Sequence, residues 1–235
     1  MCGRFTLTKP FEDLKRILGD LELPDAPPPR RFNIAPSQPI AIVIRDPKPR
    51  LTFAEWGLIP HWARDPALGS RLINARSETV AEKPAFQASF RYRRCLIPAT
   101  GFYEWHAAAP PGPKQPVYIH MLDERLFAFA GLWDHWQGDD GTERITATIL
   151  TTTPNRLLRP IHQRMPVILP ESAWADWLDR EMDGAPELRN LLSPFPAEEM
   201  TYRPVSAHVN NPRHDDPACL DPPSEAASPG QLELF

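Results

Sequence analysis

From Thr8 to Leu21 (TKPFEDLKRILGDL) apolar side chains recur at Phe11, Leu14, Leu18 and Leu21. These three- and four-residue steps lay one apolar stripe along a helix. Thr8 stands where an N-cap belongs and Pro10 falls in the first turn. A proline-rich loop, LPDAPPPRRFNIAPSQP (23–39), follows, and the period then shortens. IAIVI (40–44) and RLTFAEWGL (50–58) read as a strand pair. Further strands are predicted at RCLIPATGFYEW (94–105), VYIHML (117–122), LFAFAGLWDHW (126–136), RITATILTTT (144–153), MPVIL (165–169) and TYRPVS (201–206). Helical spacing returns at ESAWADWLDREM (171–182) and PELRNLLS (186–193). Long strands outnumber helices and do not alternate with them regularly. The pattern predicts an α+β fold, a mixed, largely antiparallel, barrel-like sheet flanked by helices.

From residue 214 the pattern dissolves into HDDPACLDPPSEAASPGQLELF, which is acidic, small and proline-rich. The expected organisation is one domain over 1–213 and a disordered tail over 214–235. That tail closes on QLELF, where Leu232, Leu234 and Phe235 need a partner to bury them.

Composition narrows the class. A chain of 235 residues holds one substantial domain or at most two small ones. Its 42% hydrophobic content and seven tryptophans suffice for a core. Thirty prolines, about twice the usual share, are spread along the chain and predict short elements joined by rigid turns. No apolar run approaches the roughly 20 residues of a membrane span. Lys9, Glu12, Asp13, Lys15 and Arg16 interrupt the stretch a signal peptide would need. A soluble cytoplasmic protein, acting as a monomer, is expected. Cys2, Cys95 and Cys219 show no CxxC spacing, so neither a disulfide framework nor a metal site nor a cofactor is predicted.

Net charge is −4, but it is unevenly distributed. Residues 1–100 hold 16 Lys and Arg against 10 Asp and Glu; residues 101–235 hold 10 against 20. The cations are 21 Arg and 5 Lys, and the planar guanidinium suits phosphate. A basic groove is compatible with that asymmetry.

Chemistry concentrates where polar groups interrupt apolar segments. Cys2 follows the initiator methionine in MCGRF, so removal of Met1 would leave an amine and a thiol two carbons apart. Asn74 sits in LINARSETV before a run that resembles a helix start, where a cap or turn role is the alternative. Glu104 sits between Tyr103 and Trp105; desolvation there would raise its pKa and suit a general acid, unless the strand turns it to solvent. His162, flanked by Arg159 and Arg164, precedes a strand and could equally be structural.

Taken in order, MCGRFT, FNIAPSQ, WGLIPHW, LINARSETV, RCLIPATGFYEW, IHQRMPVIL and YRPVS resemble the successive signatures of the SOS response-associated peptidase family, over roughly residues 1–213. That resemblance implies a protein that crosslinks itself to abasic sites in single-stranded DNA. Cys2 would form a Schiff base with the ring-opened aldehyde and close it to a thiazolidine, shielding the lesion from strand cleavage. Glu104 would be the acid/base, His162 the proton shuttle at the opened sugar, and Asn74 the side chain that holds Cys2 and the adduct. The family link also implies autoprocessing peptidase and lyase-type activity, and a nucleoid-associated location. DNA contacts are expected from Arg4, Arg76 and Arg164 at phosphates, from Asn33, and from Pro36 and Trp62 as a base-stacking platform, with core packing the alternative for Trp62. QLELF resembles a bacterial sliding-clamp-binding peptide, with Gln231, Leu232, Leu234 and Phe235 as anchors. Two other readings stay open: an N-terminal-nucleophile cysteine hydrolase, and a reversible single-stranded DNA-binding or clamp-docking module.

Overall fold

The computed structural model describes residues 2–25, 29–106, 114–182 and 186–224. Its strands are β1 (Phe5–Leu7), β2 (Arg31–Ile34), β3 (Pro39–Arg45), β4 (Pro49–Trp56), β5 (Asn74–Arg76), β6 (Arg94–Ala99) and β7 (Gly101–His106). Then come β8 (Gln115–Met121), β9 (Phe127–Gln137), β10 (Glu143–Thr152), β11 (Met165–Pro166), β12 (Ile168–Leu169) and β13 (Met200–Pro204). The helices are α1 (Glu12–Leu18), α2 (Pro84–Tyr92), α3 (Trp174–Leu178) and α4 (Pro186–Asn190).

Five strands close on themselves in the order β10–β4–β3–β6–β9–β10. All pair antiparallel except β4 with β10, so the barrel is mixed, as the pattern predicts. Closure removes the sheet edges that would otherwise need protection. A second, wholly antiparallel sheet runs β13–β8–β7–β1–β2. Phe5, Phe102, Phe127 and Phe129 stack edge-on between the two and join them in one core.

The stretch 94–105, expected as one strand, divides at Thr100: β6 belongs to the barrel and β7 to the second sheet. The Thr100 hydroxyl lies 2.8 Å from that of Thr6 and accepts the Thr8 N–H at 3.1 Å. Thr8 is therefore tied to Thr100 just past the end of β1, and α1 begins at Glu12 without a side-chain cap. MPVIL also divides, with β11 on β10 and β12 on β9. The helix expected over 171–182 stops at Leu178, because the Arg94 guanidinium takes the carbonyls of Trp177 and Asp179. Helix α2 was not foreseen; only Phe86, Ser89 and Phe90 face inward, too few apolar positions to show a stripe.

The expected domain boundary at 213 is displaced. Asp215 pairs with Arg31 and accepts the backbone N–H groups of Phe32 and Asn33, while Cys219 is fully buried. Acidic, proline-rich composition reads as solvated chain, but here the acids find donors and the segment through Leu220 packs on the domain. Residues 225–235, with Gln231, Leu232, Leu234 and Phe235, lie outside the described residues. Among the described residues no helix is long and apolar enough to cross a membrane.

The loop that carries Trp62 is braced by glycines. Gly57 has φ +138°, and a Cβ there would stand 2.6 Å from the Gly69 carbonyl oxygen. Both the left-handed backbone and the backbone-to-backbone approach exclude a side chain. Gly57→Ala is expected to cost about 3 kcal/mol in urea unfolding, the sum of backbone strain and overpacking.

Candidate active site

Strand β1 brings the amino terminus to β7. Phe5 stands opposite Phe102, and the Tyr103 N–H donates to the Arg4 carbonyl at 3.0 Å. Continuing that antiparallel register backward carries Gly3 opposite Glu104 and Cys2 opposite Trp105, and Cys2 lies within electrostatic reach of Glu104. Both are inside the protein, at 0% and 4% exposure. Burial, and then the Glu104 charge, push the Cys2 thiol well above its usual range, so it is held as the thiol rather than the thiolate. Desolvation likewise raises Glu104 above the usual carboxylate range. The charges of the amino terminus, His162 and Lys114 oppose that rise only in part. Glu104 does not face solvent, which settles one of the two readings of its strand position.

His162 lies on the turn between β10 and β11. Arg164 N–H donates to its Nδ1 at 3.0 Å, which leaves the neutral ring's proton on Nε2. The Arg164 carbonyl lies 3.1 Å from the same nitrogen, so this one turn holds the orientation of the imidazole.

Asn74 opens β5 rather than a helix, and β5 pairs in parallel with β10, Asn74 opposite Ile149 and Arg76 opposite Thr151. Phe5 packs edge-on against Trp56 at 5.2 Å, and the Trp56 indole donates to the Ile73 carbonyl, one residue before Asn74. This chain of contacts links the N-terminal strand to β5. The Asn74 amide reaches the Ile149 carbonyl only at 3.5 Å, and its Oδ1 is buried with no hydrogen-bond donor among the described residues. A buried acceptor left unmet costs about 1–3 kcal/mol, which a bound donor would recover.

The expected DNA contacts divide. Trp62 is 53% exposed, against the alternative of core packing. Arg76 is exposed and makes no ion pair among the described residues, and Pro36 is half-buried at the turn before β3. Arg4 and Arg164 have donors committed within the protein. Arg4 donates to Asn33 Oδ1 at 2.8 Å and to the Val209 carbonyl at 2.9 Å, and lies over the Trp105 ring. Arg164 forms a two-pronged pair with Glu78 and donates to the Thr151 carbonyl at 2.6 Å. That fork holds the Glu78 carboxyl below its usual range. Asn33 corrects its expectation more strongly: it is fully buried, and its amide donates to the carbonyls of Val209, Asn211 and His214. In this arrangement it positions Arg4 and the 207–214 segment instead of reaching toward DNA.

Sequence reasoning missed Glu78 and the whole 207–220 buttress. Glu78 lies in the same LINARSETV segment as Arg76 and offered a signal. The buttress offered little, because its residues are those of any solvated turn.

A profile of the SOS response associated peptidase (SRAP) family matches residues 1–212. The chain is 42% identical over 223 residues to the abasic site processing protein YoqW of Bacillus subtilis, covering 94% of this chain and 99% of that one. It is 30% identical over 270 residues to the abasic site processing protein HMCES of Rattus norvegicus, covering 94% and 76%. A crystal structure of a protein from Bacteroides thetaiotaomicron superposes with a TM-score of 0.80 at 27% identity, covering 94% and 99%. The barrel with its appended sheet is the fold of this family, and the chain belongs to the SOS response associated peptidase family.

Proposed function

We propose that this chain processes abasic sites in single-stranded DNA by capturing them covalently through Cys2 once Met1 is removed. The observation that carries the proposal is the burial of Cys2 and Glu104 together, each within electrostatic reach of the other, with His162 within reach of Glu104. The names of the bacterial and mammalian relatives support the choice of lesion.

Glu104, protonated, donates to the ring oxygen of the closed sugar while the anomeric hydroxyl gives its proton to His162; the bond between the ring oxygen and the anomeric carbon breaks and the aldehyde opens. The α-amine, with an ordinary pKa of about 7.7–8.0, attacks the aldehyde carbon and water leaves, giving the imine. The Cys2 sulfur then adds to the imine carbon. Because the thiol is held protonated, this closure needs a base, and Glu104, now a carboxylate, takes the thiol proton. The imine nitrogen takes the proton that His162 received from the anomeric hydroxyl, and the ring is a thiazolidine. The net change is loss of one water. Ring closure removes the imine that would otherwise promote β-elimination and strand scission. Asn74 Oδ1 accepts from the amine or the opened sugar's hydroxyl.

Intact mass after incubation with an oligonucleotide carrying one abasic site tests the reading. The expected species is the chain without Met1 plus DNA minus one water. No adduct from a chain verified to have lost Met1 would sink the proposal and favour reversible binding or an amide substrate.

Trp62 supplies a stacking face beside the lesion. Trp62→Ala is expected to leave unfolding within about 0.5 kcal/mol of the parent, since the ring is mostly in water. Its affinity for single-stranded DNA should fall by about 1–3 kcal/mol, roughly 5- to 150-fold, in a fluorescence titration.

A further inference from the structure

The 207–220 buttress contains a second cluster of chemical groups, apart from the residues assigned above. His208, Asp216 and Cys219 each present a ligand atom within 4.8 Å of the others, the one such convergence of three donors among the described residues. We propose that this trio is a binding site for a zinc-class divalent ion that clips the C-terminal segment to the domain.

The donor set is an imidazole nitrogen, a carboxylate oxygen and a sulfur, the combination borderline ions of this class take. Tetrahedral ligands at zinc distances stand roughly 3.3–3.7 Å apart, so the widest of the three separations needs to contract by about 1.5 Å at most. His208 Nε2 and Asp216 Oδ2 are already 3.1 Å apart. Local structure orients each group. Asp216 caps the 3-10 turn Pro217–Leu220, its Oδ1 accepting the Ala218 N–H at 2.9 Å, which leaves Oδ2 for the ion. His208 sits in the turn Ala207–Asn210, itself capped by the Ser206 hydroxyl. The His214 ring stacks on His208 at 3.9 Å and is pinned by donating from Nδ1 to the His208 carbonyl. Such outer contacts fix a ligating imidazole's orientation. The Cys219 thiol donates to the His214 carbonyl; the ion would replace that proton, which passes to water. Sequence spacing hides the site, since H-x7-D-x2-C is no common zinc pattern and two separate turns bring the groups together.

The consequence reaches the amino terminus. The carbonyls of Val209, Asn211 and His214 hold Arg4 and Asn33, two residues from Cys2 in the first case. An ion tying 208 to 216 and 219 would stiffen that cradle.

The test uses the full chain with Cys2→Ala, stripped of metal, so that the reactive thiol cannot compete. Zinc and cobalt are titrated, reading bound ion per chain, the thiolate-to-cobalt absorption and the thermal midpoint. One ion per chain, with a thiolate signature and a midpoint raised by ~5–10 °C at about hundred-fold excess over Kd, is expected. Cys219→Ser, or Asp216→Asn, which keeps a capping oxygen, should each abolish the uptake while circular dichroism stays that of the parent. No uptake, or uptake indifferent to both substitutions, overturns the proposal. Either result is independent of whether Cys2 captures DNA.

Discussion

Replacing Cys2 by alanine is expected to abolish the stable adduct while leaving a weaker, transient one. After loss of Met1 the variant still carries an α-amine beside Glu104, so imine formation survives. Without the sulfur the imine cannot close, and it remains open to hydrolysis and β-elimination. The measurements are denaturing gel shift and intact mass. No product should resist denaturation in Cys2→Ala, an imine should be trappable by borohydride, and cleaved oligonucleotide should increase relative to the parent. Serine is expected to behave like alanine, because an alkoxy ring closure lacks the nucleophilicity of sulfur. A denaturation-resistant adduct in Cys2→Ala would remove the thiazolidine from the mechanism. Fold effects stay separable, since Cys2 is one buried side chain at the end of β1 and Phe5 still anchors the strand.

Glu104→Gln should lower the crosslinking rate by about 10²–10⁴-fold, the usual scale for a positioned acid/base. The pH dependence carries the sharper information. Burial raises the Glu104 pKa, so the acid form persists further toward neutrality than an ordinary carboxylate. The parent's sugar-opening step should slow as pH rises through that raised value, and the glutamine variant should lose this limb. Stability moves the other way. A carboxyl raised on folding binds more protons in the native state than in the unfolded one. Its penalty is absent below the unfolded pKa and grows as pH climbs to the folded value. Above that value the native state carries a buried charge that glutamine does not. Urea unfolding near pH 8 should therefore find Glu104→Gln at least as stable as the parent, with the difference vanishing in acid. A variant both inactive and less stable at pH 8 would assign Glu104 a structural part instead.

Much of this site was legible in the chain because chemistry that must sit in apolar surroundings leaves a local mark. Glu104 between two aromatics, and Cys2 directly behind the initiator, are visible without coordinates. Trp62 was ambiguous, since a tryptophan in an apolar segment can lie on either face, and only the loop's path past Gly57 and Gly69 leaves it in water. The arginines were over-read. Charge alone marked Arg4, Arg76 and Arg164 as equals, yet Asn33 and the Val209 carbonyl hold the first and Glu78 the last. Those partners lie between 29 and 205 positions away for Arg4 and 86 for Arg164, beyond any local pattern.

By itself the sequence determined the strand-rich α+β class, most strand positions and the candidates for the reacting side chains, because periodicity and residue type are local properties. Tertiary structure alone decided that β10 and β9 close the barrel, that one long strand divides at Thr100 between two sheets, and that β1 pairs with β7 and so brings Cys2 within electrostatic reach of Glu104. It also folded the acidic segment after residue 213 onto Arg31 and Asn33. Each of these depends on hydrogen bonds between residues far apart in the chain, whose free energy is realised only when the whole core assembles.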